Sequence, residues 1–207
     1  ASLLVFFVLG SMISKFANTS KANAVDAQEG EEARNWVQVV CNSLPATVLV
    51  WLYHIYPEKR IYLLLAFGVF SSAAADTFAS EIGMLNKGKV YNILTLKEVA
   101  NGLSGGVSFL GFLAGGLGSF ILSLLSYPEF GIRGIVYISI IGFIGSILDS
   151  IIGASLQRKY RGEDGSLQDR NNSPKEKPSA GYIFISNNIV NLLTLSITPL
   201  LGHLILQ

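Results

Sequence analysis

The stretch GFIGSILDSIIGASLQ (142–157) is apolar enough to run through a lipid bilayer, yet it carries Asp149 near its end. A second stretch, SSAAADTFASEIG (71–83), closes another hydrophobic run and carries Asp76 and Glu81. A carboxylate inside a spanning helix costs roughly 2.5–3.5 kcal/mol even on the lenient insertion scale. Such a residue faces a polar interior and carries function more often than it faces lipid. These three acids therefore set two questions: how many spans the chain has, and where the spans bring their polar groups.

The composition answers the first in outline. Half of the 207 residues are hydrophobic, 14% are charged and the mean hydropathy is +0.48, values that suit a multi-span membrane protein better than a soluble domain. Six segments approach the roughly 20 residues needed to cross about 30 Å of hydrocarbon. They are 1–16, 37–56, 61–78, 105–125, 132–156 and 182–206. Pro57, Pro128 and the 173–180 stretch punctuate the breaks. The expected fold is all-α, a polytopic membrane helical bundle of about six spans forming a single integral membrane domain over 1–207, with 157–180 as a flexible loop. The chain opens on Ala1 already inside ASLLVFFVLGSMI, without a positive n-region or a small-residue cleavage site. We read this as a membrane segment entered partway, with a further N-terminal span upstream, rather than a signal peptide. The single Cys41 lies in an apolar run and offers no disulfide framework.

Loop charge sets the orientation. The loops after the first, third and fifth spans hold twelve Lys and Arg, whereas those after the second and fourth hold only Lys59, Arg60 and Arg133. By the positive-inside rule, 15–36, 84–104 and 157–180 are cytoplasmic. The same face collects the unusual polar residues. Arg34, Asn35, Gln38 and Asn42 begin the second span. Asp76, Ser80 and Glu81 end the third, and Ser104, Gly105, Gly106 and Ser108 begin the fourth. Asp149, Ser150 and Gln157 end the fifth, while Asn187, Asn188 and Asn191 begin the sixth. Five helix ends thus converge at one membrane face.

Helical spacing sorts these groups into stripes. Gly142, Ser146, Asp149, Gly153 and Gln157 share one face, as do Asn187, Asn191, Thr194 and Thr198, and Ser72, Asp76 and Ser80. Glu81 lies about 140° from Asp76 around a continuous helix, so it reaches the same site only if the helix frays near Gly83. The plain alternative is packing, since small residues let membrane helices approach and Ser, Thr and Asn bond across interfaces. We assign Gly111, Gly115, Gly142, Thr194 and Thr198 to that role, and the Gly-rich helices also offer surfaces for oligomer formation. For the three asparagines, site and packing readings both stand.

Carboxylates beside amides and hydroxyls are hard oxygen ligands, suited to Mg²⁺ held together with substrate phosphates. LSGGVS (103–108) leads into a span, so its backbone N–H groups can meet an anion, with a flexible entry turn as the plain alternative. Arg34 and Lys97 are placed to neutralise phosphate charge, although Lys97 equally serves as a positive-inside anchor. The chain lacks G-x-x-x-x-G-K-[ST], G-x-S-x-G and H-E-x-x-H. His54 and His203 map to the opposite face, which argues against Ser–His or Cys–His hydrolysis. Phosphoryl transfer, by contrast, needs mainly positioning and charge neutralisation. No nucleic-acid partner is expected; the lipid bilayer and a phosphate-bearing lipid are.

Five motifs, ARNWVQVVCN (33–42), AADTFASEIG (74–83), GGVSFLGFLAG (105–115), GSILDSIIGASLQ (145–157) and NNIVNLL (187–193), together resemble the phytyl-phosphate kinase family. That family includes transmembrane protein 19 and was long filed as domain of unknown function 92. The resemblance implies a multi-pass enzyme that phosphorylates a prenyl monophosphate, such as phytyl or geranylgeranyl phosphate, to the diphosphate, with CTP or a related nucleoside triphosphate as donor. It further implies that Asp76 and Asp149 hold Mg²⁺ on the nucleotide, with Glu81 as third ligand or orienter. Gly105, Gly106 and Ser108 would cradle phosphate. Arg34, as a catalytic cation, and Asn35, Gln38, Asn42, Ser80, Gln157, Asn187, Asn188 and Asn191 would bind nucleotide or substrate. One departure is the segment before the Gly-Gly, VANGLS (99–104), which lacks the family's Pro-x-Gly-Thr lead-in. A cytidylyl or CDP-alcohol transferase, a transporter and a non-catalytic scaffold are the rival readings. The compact chain suggests the plasma membrane of a prokaryote.

Overall fold

A computed structural model describes residues 36–162, 165–171 and 177–207. Five helices dominate it: α1 (Trp36–Ile55), α2 (Ile61–Gly83), α3 (Phe109–Ser123), α4 (Tyr127–Leu156) and α5 (Asn187–Ile205). Among the described residues, four helical runs are long and apolar enough to cross a membrane. One of them, spanning residues 109–156, is two helices joined by a single 3-10 turn at Leu124–Ser126 and bent again at Gly131. Gly131 has φ +60°, a conformation that L side chains resist, so the chain can turn there. Phe112 stacks edge-on against Phe143, and Ser123 meets Ser139, so α3 and α4 fold back on each other. The expected first span, 1–16, lies outside the described residues.

α2 is the central helix. In its most apolar stretch 61% of residues are buried, against 11% in α1, and it packs on all four other helices. Its sequence explains this placement. Gly68 and the run SSAAA (71–75) leave a thin helix whose backbone neighbours can approach closely. The glycines of α3 and α4 complete the fit. A Cβ at Gly118 would sit 2.9 Å from Phe78 Cβ, and one at Gly142 would collide with the Ser71 and Ser119 hydroxyls. The packing role expected for Gly111, Gly115 and Gly142 is thus filled within the chain, against α2. The surface thought to offer oligomer contacts is to this extent already used.

Buried hydroxyls tie the same helices together. Ser71 Oγ donates to the Ser119 carbonyl at 2.9 Å and lies 2.8 Å from Ser119 Oγ. Ser119 Oγ donates in turn to the Ser139 carbonyl at 2.6 Å. Such interhelical bonds are worth about 0.6 kcal/mol each in a membrane protein, so the ladder fixes register more than it supplies stability. Around it lies an apolar core that includes Val69, Phe70, Leu122 and Leu195. The outward faces of α1 and α3 carry Trp36, Leu44, Trp51, Phe109, Leu113 and Leu117 exposed, as lipid-facing surface requires.

The connections fall into two groups at opposite ends of the bundle. Arg60, after α1, pairs with Glu129, at the start of α4, at 2.9 Å. At the other end the α2–α3 connection meets the α4–α5 connection, where Ser104 bonds to Gln157 and Asp169. The two-sided partition drawn from loop charge therefore has a physical counterpart. Two expectations need correction here. The fourth span begins at Phe109, not Gly105, because residues 90–107 form a small antiparallel sheet of β1 (Val90–Asn92), β2 (Glu98–Val99) and β3 (Gly106–Val107) in the order β2-β1-β3. The segment expected as a flexible loop, 157–180, contains a hairpin of β4 (Tyr160–Arg161) and β5 (Leu167–Gln168). It is pinned to the end of α4 and to the α5 approach by bridges Gln157↔Tyr182 and Lys159↔Ala180.

Candidate functional site

The polar ends of α1, α2, α4 and α5 meet around a small cavity lined by Asn42, Ser72, Ala73, Asp76, Asp149, Asn191, Thr194 and Leu195. α2 and α4 bring their carboxylates to the same depth. Asp76 lies seven residues before the end of α2, and Asp149 seven before the end of α4. At 1.5 Å per residue, both lie about 10 Å inside the helix ends. The site is therefore two turns within the bundle rather than at its rim.

The two carboxyls are close enough to interact directly. Thr194 Oγ1 donates to Asp149 Oδ1 at 3.0 Å. The Asn191 amide lies between the acid and α1. In one orientation its nitrogen donates to Asn42 Oδ1 at 3.1 Å, and in the other it reaches Asp149 Oδ1 at 3.2 Å and the Asn187 carbonyl at 3.3 Å. Ser72 Oγ is buried and, among the described residues, has no hydrogen-bond partner. An orphaned hydroxyl beside two carboxyls is costly in isolation, by roughly 1–3 kcal/mol, and marks a cavity suited to a further polar or charged occupant.

Of the residues expected from sequence, Asn42, Asp76, Asp149 and Asn191 converge on this cavity. Glu81 does not join them. α2 stays helical through Gly83, which leaves Glu81 well round the helix from Asp76, although near enough to act on it electrostatically. Among the described residues no three His, Cys, Asp or Glu side chains gather as a metal-binding group, so the three-carboxylate cluster reduces to a pair with neutral oxygen neighbours. Gln38 lies one turn from Asn42 on α1 and does not line the cavity. Ser80 bonds back to the Thr77 carbonyl at 3.2 Å. Asn187 and Asn188 open α5 above the cavity without lining it. Arg34 and Asn35 lie outside the described residues.

The glycine loop is employed differently from the expectation. Gly105, at φ +80°, presses on α4, where a Cβ would meet the backbone of Ala154 at 2.5 Å. Gly106 pairs with Asn92 in β3, and its N–H donates to the Leu103 carbonyl. Ser108 caps α3 by accepting from the Gly111 N–H at 3.1 Å. These three residues therefore shape the loop. The group they deliver is Ser104, whose hydroxyl would be struck by any Cβ at Gly153 and donates to Gln157 Oε1 at 3.0 Å. Gly153 is one turn, about 5.4 Å, beyond Asp149 on the same face of α4. Gln157 is thus buried as an anchor for this loop.

Sequence reasoning passed over two features. Thr194 was assigned to packing, yet it bonds Asp149; its place three residues after Asn191 on the polar stripe was the available signal. Lys159 was counted only as loop charge. It is almost fully buried and donates to the Gly153, Ala154 and Gln157 carbonyls at 2.6, 3.2 and 3.3 Å, closing the C-terminus of α4. Burial pushes its ammonium below the usual lysine range, and Asp169 nearby draws it partly back.

Residues 1–199 match the family model described as integral membrane protein DUF92. This chain belongs to that family. Protein PGR of Arabidopsis thaliana is 31% identical over 97% of this chain and 79% of its own length. An uncharacterized membrane protein of Methanocaldococcus jannaschii is 35% identical over 76% of this chain, and chloroplastic protein VTE6 of Arabidopsis is 27% identical over 98%. The matched regions span 64% and 56% of these last two relatives. No solved structure matches. The family suggested by the five motifs is thus the family found, and the chain is an integral multi-pass membrane protein.

Proposed function

We propose that this protein is a membrane prenyl-phosphate kinase, transferring the γ-phosphoryl group of a nucleoside triphosphate, with CTP the expected donor, to a prenyl monophosphate. The observation that carries the reading is the adjoining pair Asp76 and Asp149, set with Asn42, Thr194 and the unpartnered Ser72 hydroxyl in a cavity that opens from an apolar bundle. A polyisoprenoid tail would remain among the lipid-facing helices while its phosphate enters from the polar end. The family membership supports a role in prenyl-lipid metabolism.

The donor set fits a hard divalent cation, because every polar group at the cavity can offer oxygen. Asp76 and Asp149 would hold Mg²⁺, with the Asn42 and Ser72 oxygens at hand. When bound, the ion would neutralise phosphate charge and orient the nucleotide. The remaining work falls to this chain. Thr194 and Asn191 orient Asp149, while the close packing of α2 on α4 holds the two carboxyls at a fixed spacing. In the transfer itself, an oxygen of the prenyl phosphate forms a bond to the γ-phosphorus as the bond to the β–γ bridging oxygen breaks. The products are the prenyl diphosphate and a nucleoside diphosphate. The acceptor oxygen is already ionised near neutral pH, so no side chain need remove a proton.

The polar end bearing 84–104 and 157–180 would face the cytoplasm, with a prokaryotic plasma membrane as the setting. The test supplies purified protein with Mg²⁺, CTP and phytyl or geranylgeranyl monophosphate, and separates products by mass. Diphosphate plus CDP, lost in Asp76→Asn and Asp149→Asn, supports the proposal. Release of pyrophosphate or CMP would instead indicate a cytidylyl or CDP-alcohol transferase. No nucleotide-dependent product from folded protein with any prenyl acceptor would sink the kinase reading.

A further inference from the structure

Ser72 Oγ is the one hydroxyl among the described residues that is buried without a hydrogen-bond partner. Its neighbours show that the helix does not force this. A serine or threonine in a helix can donate to the carbonyl four residues back. Thr77 does so to Ala73 at 2.9 Å, Ser139 to Ile135 at 2.7 Å and Thr198 to Thr194 at 2.8 Å. Ser71, next in the chain, reaches across to Ser119. Ser72 does neither, and its hydroxyl lines the cavity, one turn from Asp76 on the same face of α2. Opposite it α4 has Gly145, where any Cβ would collide with that hydroxyl. The two helices thus leave an open oxygen beside a pair of carboxyls. The cavity is about 10 Å³, space for a single water-sized occupant. Among the described residues no lysine or arginine lines it, so the carboxyls have no cationic side chain there to balance them. An open hydroxyl oxygen, two carboxyls and room for one small occupant suit a cation, whereas a water alone would leave the buried charge uncompensated.

We propose that Ser72 Oγ is a ligand of a divalent cation that the protein binds between Asp76 and Asp149 by itself, before any nucleotide arrives. The hydroxyl would supply a neutral oxygen beside the two charged ones, as a Ser or Thr hydroxyl does for Mg²⁺ in nucleotide-binding loops. The inference rests on the metal reading of the carboxyl pair, and adds to it a third ligand and an order of loading. An ion held this way joins α2 to α4, and it stabilises the folded chain because the unfolded chain has no such site.

The test takes detergent-purified, chelator-treated chain without nucleotide and titrates it with Mn²⁺, read by electron paramagnetic resonance and by melting temperature. Wild type should bind one Mn²⁺ per chain and melt higher as Mn²⁺ is added. Ser72→Ala should weaken that binding about tenfold or more, since even loss of a bond that supports a ligand costs roughly 10–100-fold. Without metal, Ser72→Ala should melt no lower than wild type, because no hydrogen bond is lost among the described residues. A hydroxyl of purely structural role would lower the melting temperature with and without metal. Ser72→Cys should shift preference from Mn²⁺ toward Cd²⁺, with the native Cys41 common to both proteins. Wild type that binds no Mn²⁺ without nucleotide overturns the inference. So does Ser72→Ala that binds Mn²⁺ as tightly as wild type, which would leave the hydroxyl to a water. The wild-type arm uses the native chain and Ser72→Cys reads metal preference, so neither depends on Ser72→Ala folding. No arm needs turnover. Prenyl diphosphate formation together with unaltered Mn²⁺ binding in Ser72→Ala refutes the Ser72 ligand alone, whereas Ser72-dependent Mn²⁺ binding without transfer to any prenyl acceptor refutes the kinase alone.

Discussion

Gly145→Ala tests the packing that holds the carboxyl pair together. A Cβ at Gly145 would collide with Ser72 Oγ and lie 2.7 Å from Ser72 Cβ and 2.9 Å from Thr198 Oγ1. Cβ atoms in real structures do not come this close to their neighbours, so α2 and α4 must separate locally or Ser72 must move. Inserting one methyl into a filled interface costs typically 1–3 kcal/mol. Ser72 is one turn from Asp76, and Gly145 one turn from Asp149, so the separation falls directly on the cavity. A misplacement of about 1 Å can cost 10²-fold in rate. The expected result is a destabilisation of about 1–3 kcal/mol in a reversible unfolding assay in detergent micelles, with a far larger fractional loss of the proposed transfer activity. Ser72→Gly should restore much of the lost stability, though not the transfer activity, because the removed hydroxyl has no hydrogen bond to lose among the described residues. The double variant should be more stable than the two single effects added, by about 1 kcal/mol or more. Wild-type stability in Gly145→Ala, or strict additivity in the double variant, would refute the α2–α4 packing on which the site depends.

Three further outcomes are expected. Thr194→Val removes the bond to Asp149 at nearly constant volume; it should cost about 0.6–1.7 kcal/mol of stability and lower kcat/KM, and unfolding and steady-state kinetics check both. Arg60→Ala breaks an ion pair whose side chains are 54% and 49% exposed, at the end of the bundle away from the site; melting should change by less than about 1 kcal/mol and turnover not at all. Burial holds the Asp169 carboxyl above the usual carboxylate range, while the Ser104 N–H and Lys159 pull it down. The folded chain therefore keeps that proton to higher pH than the unfolded chain, so its stabilising effect is full in acid and is lost as pH rises from about 4 through the folded value. The wild-type minus Asp169→Asn difference in melting temperature should decline across that window; a flat difference contradicts the assignment.

Much of the bundle was legible in residue order because a bilayer leaves few choices. Apolar runs of about 20 residues must be helices. Polar stripes on spans three, five and six, and the polar start of span two, named Asn42, Asp76, Asp149 and Asn191, which do meet. Reading failed where backbone and loops compete for the same residues. GGVS looked like a cradle because two glycines precede a span. In the fold, Gly105 is required by contact with Ala154, and Gly106 by pairing with Asn92. Glu81 looked like a third ligand only on the premise of a frayed helix, and α2 does not fray.

The sequence by itself determined the membrane class, the helical periodicity and which residues could face a polar interior, since these follow from local hydrophobicity and a 3.6-residue repeat. Tertiary structure decided which of those residues touch. Thr194 bonds Asp149, Ser72 is left without a partner among the described residues, and Asp169 reaches Ser104 across 65 positions. Such contacts depend on how closely helices approach and where loops fold back, and neither distance is written in any one segment's pattern.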